Sequence, residues 1–137
     1  MKVLVALDRS PQAAIVLEQA LEMVKMFKAE CTLYTLAEDI PDFGEGIATE
    51  LSEQIQQEAD KALKAALAKA TAMGIQAKTV LGSGGSAADG ILDMAEGEGS
   101  SLIIMGSRAK TGLDRFLIGS VATKVVSHAT CSVLVLR

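Results

Sequence analysis

The run KVLVALD, Lys2–Asp8, is aliphatic at almost every step, and SLIIMG, Ser101–Gly106, and CSVLVLR, Cys131–Arg137, are built the same way. A strand with one wet face alternates apolar and polar residues. A strand that is apolar throughout must be covered on both faces. A parallel sheet between two layers of helices meets that condition.

The intervening sequence supplies the helices. After the first run, Ser10 is a candidate N-cap with Pro11 at the first helical position, where its missing N–H costs nothing. Ala14, Leu17, Leu21 and Val24 follow at steps of three and four, and Lys28 ends the stripe. CTLYTLA, Cys31–Ala37, reads as a second strand. An acidic loop with Pro41, Gly44 and Gly46 leads into an Ala-, Glu- and Lys-rich stretch from about Thr49 to Met73. Leu51, Ile55, Ala59, Ala62 and Ala66 form its apolar stripe, and Gly74 is placed to end it.

Ile75–Leu81 alternates and suits a third strand at a sheet edge. After the turn Gly82–Ser86, the pair Ser86 and Asp89 can cap a helix running to about Glu98. A last helix from about Gly119 to Ala129 carries Val121, Val125 and Val126 ahead of the fifth strand. Strand and helix alternate from end to end with no break in composition. The expected fold is α/β, a single doubly wound domain over residues 1–137 with a five-stranded parallel sheet and helices on both faces.

Composition narrows the function. The chain has 137 residues, half of them hydrophobic and 22% charged, so it can bury a core. Aromatic residues make up 3%, so that core is Val, Leu, Ile, Ala and Met. A net charge of −4 gives no electrostatic footprint for DNA or RNA, and no nucleic-acid partner is expected. No apolar run approaches the roughly 20 residues that span a bilayer. Val3–Leu7 is too short for a signal-peptide core. No membrane partner is expected, and a cytoplasmic location is the default. Cys31 and Cys131 stand apart without a CxxC motif or a His partner. They read as reduced, buried thiols at strand edges, with a disulfide or redox pair as the alternative.

In a doubly wound sheet, ligands bind beyond the carboxyl ends of the strands where the winding reverses. With strand one beside strand four, the loops LDRS and GSRA face each other, and so do Asp8 and Gly106. The stretch MGSRAKTGLDRFLIGS, Met105–Ser120, then bears on ligand binding. Gly106 ends a buried strand, and Gly119 and Ser120 open a helix whose free amides and dipole suit an anion. Arg108 and Lys110 either add positive charge there or point to solvent. The plain alternative is punctuation, since Gly after a strand and Ser at a helix start are routine. Asp8 likewise has two readings, a contact to a ligand or an Asx-turn.

Other candidates are weaker. His128 ends the last helix, where a cation suits the dipole, and it has no evident nucleophile or acid partner. Leu113, Phe116 and Leu117 have helical spacing and read as core or loop anchors. No acid pair, metal cluster or nucleophile–base set stands out, so no catalytic residue is assigned. The scarcity of aromatics disfavours a flavodoxin-like electron carrier.

VLVALDRS and SSLIIMGSRAKTGLDRFLIGSVATKVVSHATCSVLVLR resemble the universal stress protein family, and the likeness spans the chain. The family's nucleotide-binding branch carries Gly, two residues, Gly, nine residues, then Gly-Ser or Gly-Thr. That spacing falls on Gly106, Ala109, Gly119 and Ser120, with one glycine replaced by alanine. The resemblance implies an adenine nucleotide alpha hydrolase-like, Rossmann-like domain, a homodimer, and bound ATP or AMP, with or without Mg²⁺. It implies that Gly106, Ala109, Gly119, Ser120 and Val121 line the phosphates, with Ser107 and Arg108 in the same loop. It places Asp8, flanked by Ala6, at the adenosine part, Leu36 at adenine through its backbone, and Met105 by the ribose.

By the same resemblance the function is stress response, through a nucleotide-dependent switch or partner binding, with at most slow ATP hydrolysis. The alternative is a ligand-free dimeric interaction protein of the same fold. Ala109 sets a methyl group where the family's glycine lets phosphate approach. Ser132 stands where the family often has Pro, and GSGGS replaces its common turn.

Overall fold

The structure is a computed structural model, and it describes residues 1–37, 47–107 and 118–137. Among the described residues nine elements alternate: β1 (Lys2–Ala6), α1 (Ala13–Phe27), β2 (Glu30–Ala37), α2 (Ile47–Ala72), β3 (Ala77–Ser83), α3 (Ala87–Glu98), β4 (Leu102–Gly106), α4 (Ser120–His128) and β5 (Ser132–Leu136). The five strands form one parallel sheet in the order β3-β2-β1-β4-β5. The expected α/β architecture is therefore present, with β1 beside β4 and β3 at an edge.

Alternate side chains of each strand point to opposite faces, so the sheet builds two cores. Val3, Val5, Leu33 and Ile104 pack with Leu17, Leu21 and Val24 of α1 and Leu63 and Ala66 of α2. Leu4, Ala6, Tyr34, Ile103 and Met105 pack on the other side with Ala88, Ile91 and Ala95 of α3 and Ala122 and Val125 of α4. Of the strands that read as apolar throughout, β1 and β4 are buried between the two cores, while β5 at the edge contributes half-buried residues to both.

Helix ends follow local chemistry in three places. Ser86 caps α3 by accepting the Asp89 amide at 3.1 Å, as expected. Gly74 takes φ +77°, with Gly74 N–H donating to Thr71 O at 3.0 Å and Ile75 N–H donating to Ala70 O at 2.9 Å. This paired closure needs the left-handed conformation that Gly adopts freely. Helix α1 closes the same way without a glycine. Lys28 sits at φ 52°, and Ala29 N–H donates to Val24 O at 3.1 Å.

Several expectations are corrected. Ser10 does not cap α1, which starts at Ala13 with no side-chain cap bond. Its amide and hydroxyl donate to Asp8 Oδ1 at 2.9 and 2.6 Å, which turns the side chain back toward Asp8 and away from the helix start. Ser10 O instead accepts from Ala13 N–H at 3.1 Å, and Pro11 takes the second position of that turn, where its fixed φ fits. Ala14 is exposed, and the buried stripe of α1 is Val16, Leu17, Ala20, Leu21 and Val24.

In α2 the buried positions are Ala59, Leu63, Ala66 and Ala70, while Ala62 is exposed and Leu51 is 42% exposed. The helix is longer than the strands it covers, and upstream of Ala59 the described side chains are half-buried or exposed. In α4, Val126 is half exposed and Ala122 and Val125 face the core. Pro41, Gly44, Gly46, Leu113, Phe116 and Leu117 lie outside the described residues.

Both cysteines are free. Cys31 is buried, and burial pushes its thiol up to about 11. Cys131 is only half-buried, because it leads into an edge strand with a neighbouring strand on one side only. Among the described residues, no helix is long and apolar enough to cross a membrane.

Candidate functional site

The helices change sides between β1 and β4. The chain leaves β1 toward α1, on the face shared with α2, and leaves β4 toward α4, on the face shared with α3. The loops after these neighbouring strands diverge and open a crevice at the carboxyl edge of the sheet.

Ala6 pairs with Met105 in register, and both are buried on the α3/α4 face beside Tyr34. Val121 of α4 packs against the same cluster. Leu36 is half-buried two residues beyond Tyr34 and so shares its face of the strand. Four of the sequence-derived site residues thus share the α3/α4 face of the carboxyl edge.

The loop after β1 is stitched down. Leu7 N–H donates to Tyr34 O at 2.8 Å, and Thr35 Oγ1 donates to Leu7 O at 2.8 Å. Asp8 follows, exposed, with Oδ1 holding Ser10 in an Asx-type turn. No partner among the described residues takes its Oδ2. One carboxylate oxygen organises the loop and the other is available.

The loop after β4 is anchored through Ser107, which is buried at 3% exposure. Its N–H donates to Leu136 O at 2.8 Å, and its carbonyl accepts from Gly119 N–H at 2.9 Å. That second bond brings the start of α4 to the end of β4.

It also uses the Gly119 amide, which sequence reasoning counted among the free donors. Gly119 O accepts from Thr123 N–H at 2.9 Å, so Gly119 is the N-cap. The donors that remain at the helix start are the amides of Ser120, Val121 and Ala122, which have no intrahelical acceptor. Ser120 is exposed and Val121 half-buried.

Gly106 has a packing reason of its own. A Cβ there would stand 3.0 Å from Val16 Cγ2 of α1. The missing side chain lets α1 close on the end of β4, whatever approaches from the crevice. Arg108, Ala109 and Lys110 lie outside the described residues.

Two ion pairs among the described residues lie by these loops and helix starts. Arg9, next to Asp8, lies 3.6 Å from Glu58 Oε2 of α2. Lys124, one turn into α4, lies 3.0 Å from Asp89 of α3. The Lys124 bond, with a second from Ser86, holds the Asp89 carboxyl below its usual range. His128 Nδ1 is 2.9 Å from Lys124 O within its own helix. Among the described residues, no group of three or more His, Cys, Asp or Glu is arranged to hold a metal ion.

Sequence reasoning missed three residues that shape this edge: Arg9, Tyr34 and Thr35. Tyr34 and Thr35 carry hydroxyls near the carboxyl end of an otherwise aliphatic strand, which was a readable signal.

The model of the universal stress protein family matches residues 1–137. Universal stress protein YxiE of Bacillus subtilis is 34% identical over 146 residues, covering 99% of this chain and 98% of that protein. Universal stress protein UspA from Lactobacillus plantarum superimposes with a TM-score of 0.87 at 23% identity, covering 100% of this chain and 97% of the other. A universal stress protein from Archaeoglobus fulgidus, solved in complex with dAMP, matches with a TM-score of 0.71 at 25% identity, covering 100% and 98%. The match over the full length, with the strand order and the crevice described above, leads to one conclusion: the chain belongs to the universal stress protein family.

Proposed function

We propose that this protein binds an adenine nucleotide, ATP or AMP, in the crevice between the loops after β1 and β4. In this reading it serves the stress response as a nucleotide-dependent switch or partner-binding module. The observation that carries the reading is the Ser107–Gly119 hydrogen bond. It brings the free amides of α4 to the end of β4, beside the strand whose loop carries Asp8 with one oxygen open. A helix start with unpaired amides stabilises an anion through its donors and its dipole. The dAMP complex of the Archaeoglobus fulgidus relative supports the adenine class.

In this reading the amides of Ser120 and Val121 bind phosphate, and Gly106, Ser107, Arg108 and Ala109 wall the phosphate side. The Gly119 amide, already bonded, contributes shape and not a donor. Asp8 Oδ2 accepts from the ribose, and Met105 and Ala6 form the floor of the adenosine end. The Leu36 main chain meets the base at the end of β2. The nucleotide supplies phosphate charge that tightens the two loops. An accompanying Mg²⁺ would meet Asp8 and the phosphates. No catalytic residue is assigned.

The protein is also proposed to be a cytoplasmic homodimer through β5. That strand lies at the edge of the sheet, and Val133, Leu134, Val135 and Leu136 are all only half-buried. An edge of this kind invites pairing, and a two-fold copy satisfies it without forming fibres.

Isothermal titration with ATP, AMP and adenosine, each with and without Mg²⁺, tests the nucleotide reading. Saturable binding of ATP or AMP is expected. Absence of heat at two temperatures and high micromolar protein, together with no nucleotide released on denaturing purified protein, would replace it with the ligand-free interaction protein.

A further inference from the structure

Helix α2 is longer than the sheet it covers. Its 26 residues extend roughly 39 Å at the helical rise, against roughly 26 Å for the eight residues of β2. Its buried positions begin at Ala59 and continue through Leu63, Ala66 and Ala70. Upstream, Ile55 is half-buried and Leu51 exposed. The first turns of α2 therefore overhang the carboxyl edge, and Glu58 stands where packing begins.

Glu58 is also where the loop after β1 touches α2. The loop's backbone is held by the Asp8–Ser10 bonds and by Thr35 on Leu7 O. Arg9 reaches out of this fixed loop to Glu58 at 3.6 Å, with the two side chains 42% and 55% exposed. A charge-assisted hydrogen bond lies at about 2.7–2.9 Å, so this is a loose ionic contact in water, the kind that contributes little to stability. Its partner Arg belongs to the same loop as Asp8, at the mouth of the crevice. A polyphosphate offers that guanidinium several charges and a matched geometry, where Glu58 offers one charge at a distance.

We infer that the Arg9–Glu58 pair is a latch opened by ligand phosphate, through which the charge of a bound ligand is reported to the overhanging turns of α2. The inference rests on the nucleotide reading for the presence of phosphate in the crevice. Arg9 exchanges Glu58 for phosphate oxygens, and the first turns of α2 lose their tether to the loop. A ligand without phosphates leaves the pair closed. The overhanging turns then differ between a protein holding a polyphosphate and one holding a nucleoside. By linkage, whatever releases Glu58 strengthens phosphate binding by the same factor.

Wild type, Glu58→Gln and Arg9→Gln are titrated with ATP and with adenosine at low salt, and amide exchange across residues 47–58 is followed by mass spectrometry. Both side chains are exposed, so the variants retain the fold, which circular dichroism checks. ATP, and not adenosine, is expected to speed exchange across 47–58 in wild type. Glu58→Gln should exchange fast without ligand and bind ATP about threefold tighter with adenosine unchanged, and Arg9→Gln should bind ATP about threefold weaker, the scale of an exposed ion pair. Equal ATP affinity for wild type and Glu58→Gln overturns the latch, as does exchange across 47–58 that ATP leaves unmoved, while the nucleotide reading stands. Binding of neither ligand by wild type overturns both.

Discussion

The hydroxyl of Tyr34 occupies the place that a side chain would take at Gly90. A Cβ built at Gly90 would collide with Tyr34 Oη and stand 3.4 Å from Tyr34 Cζ. On β3, Gly82 meets the same ring more broadly, with Cζ at 2.8 Å and Cε2 at 2.9 Å from an added Cβ, besides the hydroxyl. The ring of a buried β2 residue is thus seated between β3 and the first turns of α3.

This difference between the two glycines gives a rescue test. Gly90→Ala should cost about 1–3 kcal/mol by overpacking. Adding Tyr34→Phe removes the one atom in collision and should recover most of that loss. Gly82→Ala should cost as much or more and resist the same rescue, since the ring itself is in the way. Urea melts of the five proteins, including Tyr34→Phe alone, check this, and equal rescue at both glycines would contradict it.

Lys28 is the described non-glycine residue with positive φ. The conformation costs an L-residue roughly 1–2 kcal/mol. Lys28→Gly should therefore stabilise the fold by about 0.5–1 kcal/mol after the added freedom of the unfolded chain is counted. Thermal melts would read it as a rise in Tm.

Burial raises the Cys31 thiol from 9.0 to about 11. The folded state favours the protonated form, so this contribution is full below about pH 9 and is lost as pH rises toward 11. Cys31→Val should lose less stability than wild type across that window. In a thiol-reagent assay at pH 8, half-buried Cys131 should label in the native protein and Cys31 only on unfolding.

Ala109→Gly should tighten ATP more than adenosine, by about threefold to tenfold for ATP, a gain of 1.4 kcal/mol or less. In the nucleotide reading the amide survives either way, and only a methyl group that would crowd phosphate is removed. Equal changes for both ligands, measured by titration, would show that the methyl group acts elsewhere.

Val135→Lys should weaken the proposed dimer about a hundredfold, because the two-fold axis brings a charge into each copy of the contact. Sedimentation should find wild type dimeric at tens of micromolar and the variant monomeric and folded. A monomeric wild type would end the dimer reading.

The sequence by itself determined the class of fold, because a strand buried on both faces leaves a mark at every position. It also determined the closures that depend on one residue's own chemistry: Gly74 supplies a positive φ, and the Ser86 hydroxyl reaches an amide three residues on. Sequence reading reached β1 beside β4 through the common winding of such sheets.

Where several partners compete for one group, only the tertiary structure decided. Ser10 had the composition of a cap, yet its side chain turns back to the Asp8 carboxylate and α1 starts at Ala13 without it. Gly119 looked like a free amide until Ser107, brought alongside by the end of β4, accepted from it. Gly106 read as room for a ligand, and the structure adds the claim of Val16 from α1. The buried stripe of α2 depended on where the sheet stops. Periodicity along one helix cannot carry that length, because it belongs to the strands the helix crosses.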